Sequence, residues 1–299
     1  MGDSSDFQEF YELVKNWTIK DHYTPQYRSE VIWDMLLSEF VPALICYKEE
    51  GEKGRVGSYR LIAKEFPIST QMDKKDVSKV SLSNAKIDYL VENEEKKCIY
   101  IVELKTTNAS FDHKQFARYV EYINNGPKSL AFMWEFYYRV LDKNLKPLYF
   151  EGRPEKCDED RYLTHVKYLQ QVSEITECRY QSKDHVTNAF SKFAEDRSDS
   201  NWHVKVVYIS FYEIDDIAKY NKDSRNTEQV INIVLNDLND SEKSSKFSRL
   251  IENHKNAEDY DSAIGCSKVE MTKAWLSVWC IISEMMRYDK DYGLKDLSN

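Results

Sequence analysis

The chain predicts an α/β fold, and three patterns carry that expectation. Val31, Ile32, Met35, Leu36 and Phe40 recur at helical spacing. Lys86 to Glu92 alternates, with Ile87, Tyr89 and Val91 on one face and Asp88, Leu90 and Glu92 on the other. Cys98 to Val102 and His203 to Tyr212 are apolar enough to be strands covered on both faces.

The elements follow in order. A first helix is expected from Pro25 to Val41, with Pro42 ending or kinking it. Gly51, Gly54 and Gly57 then break the chain, and Ser58 to Ile68 is expected as a strand ending near Pro67. Lys86 to Glu92 and Cys98 to Thr106 make the second and third strands, joined by the polar turn Asn93-Glu94-Glu95-Lys96-Lys97. Ser110 or Asp112 can cap a helix running to about Ile123. Lys128 to Phe193 is mostly helical in pattern and precedes the strand at His203 to Tyr212. The remainder is expected to be helical, ending in the apolar stretch Met271 to Met286. No internal repeat is visible.

Composition narrows the classes of function. The chain has 299 residues, 41% of them hydrophobic, with 8 Gly and 6 Pro, which suits one folded unit without linkers. No apolar run approaches the roughly 20 residues of a membrane helix, and no secretory signal opens the chain. Six scattered cysteines lack C-x-x-C spacing, so buried thiols in a reducing cytoplasm are expected. The net charge of −9 disfavours non-specific binding of nucleic acid. Lys48, Lys53, Arg55, Arg60 and Lys64, then Lys74, Lys75 and Lys79, precede the central segment, and either a basic rim or a solvated surface accounts for them. No phosphate-binding G-x-x-x-x-G-K-[ST] loop and no G-x-S-x-G elbow occurs.

The segment from Lys86 to Tyr119 concentrates the chemistry. Glu103 and Lys105 stand two apart at the end of an apolar strand, so their side chains share a face. Glu-x-Lys alone is a weak signal, since Glu94-Glu-Lys96 and Glu95-Lys-Lys97 repeat it in a polar turn. A charge directly after Cys98 to Val102 is costly unless paired or used, and a buried salt bridge would explain it equally well. Asp88 lies fifteen residues earlier, in the preceding strand of a hairpin, where it can stand opposite Glu103. Gln115 and Tyr119 lie one helical turn apart after the strand. Aromatics such as Trp134, Phe136 and Tyr208 are read as core. The histidines show no metal-ligand spacing.

Together Lys86-Ile-Asp88, Val102-Glu103-Leu-Lys105 and Gln115-Phe-Ala-Arg-Tyr119 resemble the PD-(D/E)xK nuclease superfamily, RecB-like in its Gln-x-x-x-Tyr helix motif. Ile87 replaces the proline that names the motif. The resemblance implies a restriction-endonuclease-like core: helix, three-stranded antiparallel meander, helix, strand. That core covers about 24–125 and 203–212 of a single domain spanning 1–299, with a helical insertion at about 126–200 and a helical C-terminal region at about 213–299. It implies Mg²⁺ or Mn²⁺ held by Asp88, Glu103 and the backbone carbonyl of Leu104. Lys105 would hold the attacking water, Gln115 and Tyr119 would steer the substrate, and Glu30 of the first helix would add an acid, for which Asp34 could substitute; His22 is a separate candidate to approach the site ahead of that helix. The implied activity is metal-dependent hydrolysis of DNA, with RNA not excluded, no membrane partner and homo-oligomerisation left open. A catalytically silent member serving as a binding or scaffolding module is the alternative.

Overall fold

The computed structural model describes residues 36–69, 84–105, 111–150, 175–176, 183–223, 229–257, 276, 278–280 and 282–283. Within them a five-stranded mixed sheet carries helices on both faces. Its strands are β1 (Tyr59–Ser69), β2 (Asn84–Asn93), β3 (Cys98–Lys105), β4 (His203–Ser210) and β5 (Val230–Val234), in the order β1-β2-β3-β4-β5. β1, β2 and β3 form an antiparallel meander, whereas β3–β4 and β4–β5 are parallel. Among the described residues no helix is long and apolar enough to cross a membrane.

Helix α1 (Val41–Glu50) precedes the meander, and α2 (His113–Asn125), α3 (Pro127–Phe150) and α4 (Lys183–Asp196) separate β3 from β4. This crossover is what parallel pairing requires, because a parallel neighbour cannot be reached by a tight turn. α5 (Asp215–Asp223) links β4 to β5, and α6 (Ser241–Ala257) follows.

Two apolar layers result. Tyr89, Val91, Tyr100, Val102 and Val207 pack with Val41, Leu44 and Ile45 of α1 and with Phe247 and Leu250 of α6. On the other face Leu90, Ile99, Ile101 and Val206 pack with Tyr122 of α2, Trp134 of α3 and Phe190 of α4. Every residue from Cys98 to Leu104 is buried, as an unbroken apolar strand requires.

Two expectations need correction, and one is sharpened. The helix is interrupted ahead of Pro42: Leu36 and Leu37 are helical, Ser38–Phe40 is a 3₁₀ turn, and Pro42 sits in the first turn of α1, where its missing N–H has no helical acceptor to lose. The chain beyond 213 is not wholly helical, since Val230–Val234 adds β5 beside β4. Ile87 does not share a core with Tyr89 and Val91 but packs with Leu90 on the opposite side. The break falls at Asp88. Pairs Lys64↔Tyr89 and Phe66↔Ile87 put Glu65 opposite Asp88, and Glu65 has a left-handed φ of 48°, which disrupts regular alternation there.

The glycine segment also gains a physical reason. Gly51 ends α1 with φ 73°, a conformation glycine adopts without steric cost. At Gly54 an added Cβ would lie 2.4 Å from Cys46 Sγ, so only glycine fits against α1. Cys46 and Cys98 are buried free thiols, and burial pushes both up to about 12. Cys280, by contrast, is exposed.

Candidate active site

β3 delivers Glu103 and Lys105 to the end of the sheet where the antiparallel β2–β3 ladder opens. The ladder runs from Asn93↔Cys98 to Tyr89↔Val102. One step further, Asp88 falls opposite Glu103. There the backbone pairing gives way to a side-chain bond: Leu104 N–H donates to Asp88 Oδ2 at 2.7 Å. The Asp88 charge also reaches Tyr119, on the α2 side of the sheet.

Glu103 is a buried carboxylate at 2% exposure. Its Oε1 accepts a short hydrogen bond from the Tyr119 hydroxyl, and its Oε2 accepts from Lys105 Nζ at 3.1 Å. Lys105 Nζ also donates to Gln115 Oε1 at 3.2 Å. The i, i+4 spacing of Gln115 and Tyr119 puts both on the face of α2 that meets β3. Asp112 fixes where that helix begins, since its Oδ1 accepts from the backbone N–H of Lys114 at 2.8 Å and of Gln115 at 3.3 Å.

The electrostatics follow from burial. Desolvation raises the Glu103 carboxyl above its ordinary range, opposed by the Lys105 charge and by hydrogen bonds from Tyr119, Lys105 and Gln115. Burial, then the charge of Glu103, hold the Tyr119 phenol well above its usual value, so it stays a neutral donor. A buried carboxylate with one ammonium and one phenol is a site that further positive charge stabilises.

The donor set suits a hard divalent cation. Among the described residues no group of three or more His, Cys, Asp or Glu converges. Mg²⁺ and Mn²⁺ are commonly held by one or two carboxylates, with water and substrate oxygens completing the octahedron. Asp88 and Glu103 are the two carboxylates that could hold such an ion, with the Leu104 carbonyl as a further candidate ligand. Glu30, Asp34 and His22 lie outside the described residues.

Arg55 and Arg60 of the basic run pair away from these carboxylates, and Lys74, Lys75 and Lys79 lie outside the described residues. Arg60 Nη2 pairs with Glu92 at 2.6 Å and Arg55 with Glu95 at 2.8 Å, at the end of β2 remote from Asp88. Arg197 of the chain after α4 joins the same buried Glu92 at 2.5 Å. Arg60, Glu92, Lys192 and Arg197 line a cavity of about 510 Å³ that includes none of the candidate residues.

Sequence reasoning missed one neighbour of Glu103. Tyr208 of β4 is its register partner, and its ring lies 6.5 Å from that of Tyr119. It was hidden inside an apolar strand, where a tyrosine is ordinarily a packing residue. No family model, no curated protein and no solved structure matches the chain.

Proposed function

We propose that the chain is a divalent-metal-dependent nuclease of the PD-(D/E)xK type, hydrolysing DNA phosphodiester bonds. The single observation that carries this reading is the convergence of Asp88, Glu103 and Lys105 where β2 and β3 part, with Gln115 and Tyr119 closing on the same carboxylate and ammonium. The element order supports it as well. A helix, an antiparallel meander, a helix and a parallel strand follow one another as a restriction-endonuclease-like core requires.

In this reading Asp88 and Glu103 hold Mg²⁺ or Mn²⁺. When bound, the cation neutralises charge developing on the phosphorane and lowers the pKa of water. Lys105 positions the nucleophile, and the proton that the water loses passes to solvent. The Lys105 ammonium, 11% exposed, holds the attacking water by donating to it and orients it toward phosphorus. Gln115 fixes the Lys105 amine, and Tyr119 fixes the Glu103 carboxylate so that its outward orientation is set before substrate arrives. The same chemistry acts on an RNA phosphodiester, so the substrate assay must include both polymers.

A binding module without catalysis is the second reading, and two observations favour it. The net charge is −9, and both Glu103 oxygens are engaged within the protein. Incubating the purified chain with linear, circular and single-stranded DNA and with RNA, in Mn²⁺ and in EDTA, separates the two. Metal-dependent cleavage of any of them supports the nuclease; binding without cleavage supports the module.

A further inference from the structure

The register of the sheet extends the polar site beyond the motif. Ile101, Val206 and Val230 pair across β3, β4 and β5 and belong to one core layer. Two residues on, Glu103, Tyr208 and Asn232 pair across the same strands, so they form the next row on that face. Lys105 and Ser210 pair one row further. An apolar layer therefore gives way to a polar band at the C-terminal edge of the parallel strands, the place where open α/β sheets bind ligands.

Within this band most polar groups are satisfied. The Ser210 hydroxyl donates to the Tyr212 carbonyl at 2.7 Å and lies 3.0 Å from Asn232 Oδ1. Glu103 and Lys105 hold each other. Among the described residues, two buried atoms of this band have no hydrogen-bond partner: Asn232 Nδ2 and the hydroxyl of Tyr208. The Tyr208 ring is enclosed by Phe111 at 5.5 Å, Phe116 at 6.0 Å and Tyr119. The charges of Glu103 and Asp112 both act on it. A phenylalanine would fill this space without leaving a donor unsatisfied, so a hydroxyl here calls for an acceptor.

We infer that Tyr208 is a positioning residue for Glu103, its hydroxyl donating to a buried water that in turn donates to the Glu103 carboxylate. The inference rests on the nuclease reading for its catalytic consequence and on the buried hydroxyl for its geometry. The water satisfies Tyr208 and gives Glu103 a hydrogen bond from the β4 side, complementing Tyr119 on the α2 side. The carboxylate is then held from two directions when Lys105 turns to the attacking water.

Tyr208→Phe keeps the ring and removes only the donor. The expected result is an unchanged or slightly lowered Tm, with kcat for Mn²⁺-dependent cleavage falling about tenfold and KM unchanged. Full kcat in the variant overturns the inference, because a ring that only packs would be indifferent to the hydroxyl. A high-resolution crystal structure of the wild-type chain supplies the arm that needs no activity. Density for a water within hydrogen-bond reach of both Tyr208 Oη and Glu103 supports the positioning role even if no nucleic acid is cut. A dry contact there overturns it, whatever the kinetics. Absence of wild-type cleavage alongside an ordered water would count against the nuclease reading alone.

Discussion

The carboxylate of Asp88 accepts a hydrogen bond from the backbone N–H of Leu104 at 2.7 Å, pinning β2 to β3 one residue past Glu103. The bond does structural and chemical work together. It replaces the ladder where the strands separate, and it sets an acid beside a buried carboxylate that burial alone makes costly to ionise. Asparagine can accept the same hydrogen bond through its amide oxygen but carries no charge. Asp88→Asn should therefore keep the wild-type Tm without metal and lose the stabilisation by Mn²⁺. That stabilisation is about 2.7 kcal/mol at a hundredfold excess over Kd. Asp88→Ala should lose both, leaving the Leu104 amide unpaired at a cost of about 1–3 kcal/mol. Thermal melts with and without Mn²⁺ check the pair; an undiminished shift in Asp88→Asn excludes this carboxylate as a ligand.

Tyr119 gives Glu103 its shortest hydrogen bond, from a phenol that burial keeps neutral. Tyr119→Phe preserves the ring against Tyr208 and removes the donor. Global stability should fall by about 1–3 kcal/mol at neutral pH, where Glu103 is to be charged with one partner fewer. Urea denaturation measures this directly, and an unchanged midpoint with unchanged slope would show that the bond contributes nothing net.

Much of this was legible in the residues. Cys98 to Val102 is too apolar for anything but a buried element, so the charges that follow it stand out. Asp112, followed by an amphipathic stretch, marks a helix start, and its carboxylate caps that start. Other features depended on tertiary partners. Proline suits the first turn of a helix as well as its end, so Pro42 was ambiguous without knowing where the preceding chain turned. Val230–Val234 is five residues long, and an apolar run of that length does not distinguish a strand from a helical segment until β4 lies beside it. Tyr208 became visible only through the parallel register that sets it next to Glu103.

Glu92 offers a pH test remote from the candidate site. Burial raises its carboxyl, but the Arg197 hydrogen bond and the charges of Arg60 and Arg197 outweigh that, and the net shift is downward from 4.5. A lowered folded-state value means the contribution is present above the unfolded carboxylate range and is lost as pH falls through the folded value. Glu92→Gln should thus destabilise the chain by about 3–5 kcal/mol at pH 7, since it strands two guanidinium groups in a buried setting. The gap between variant and wild type should narrow below pH 4.5 as the native carboxylate protonates. Denaturation midpoints across that range decide it, and a constant gap would mean the cluster acts by packing alone.

Lys105 bears most directly on the central claim. Lys105→Ala removes the ammonium while leaving Asp88, Glu103 and the sheet in place. The rate of Mn²⁺-dependent DNA cleavage, measured on wild type and variant at matched folded fraction, is the measurement to make. The account predicts a fall of about a hundred- to ten-thousand-fold with the fold retained. Cleavage at the wild-type rate by the variant would contradict it.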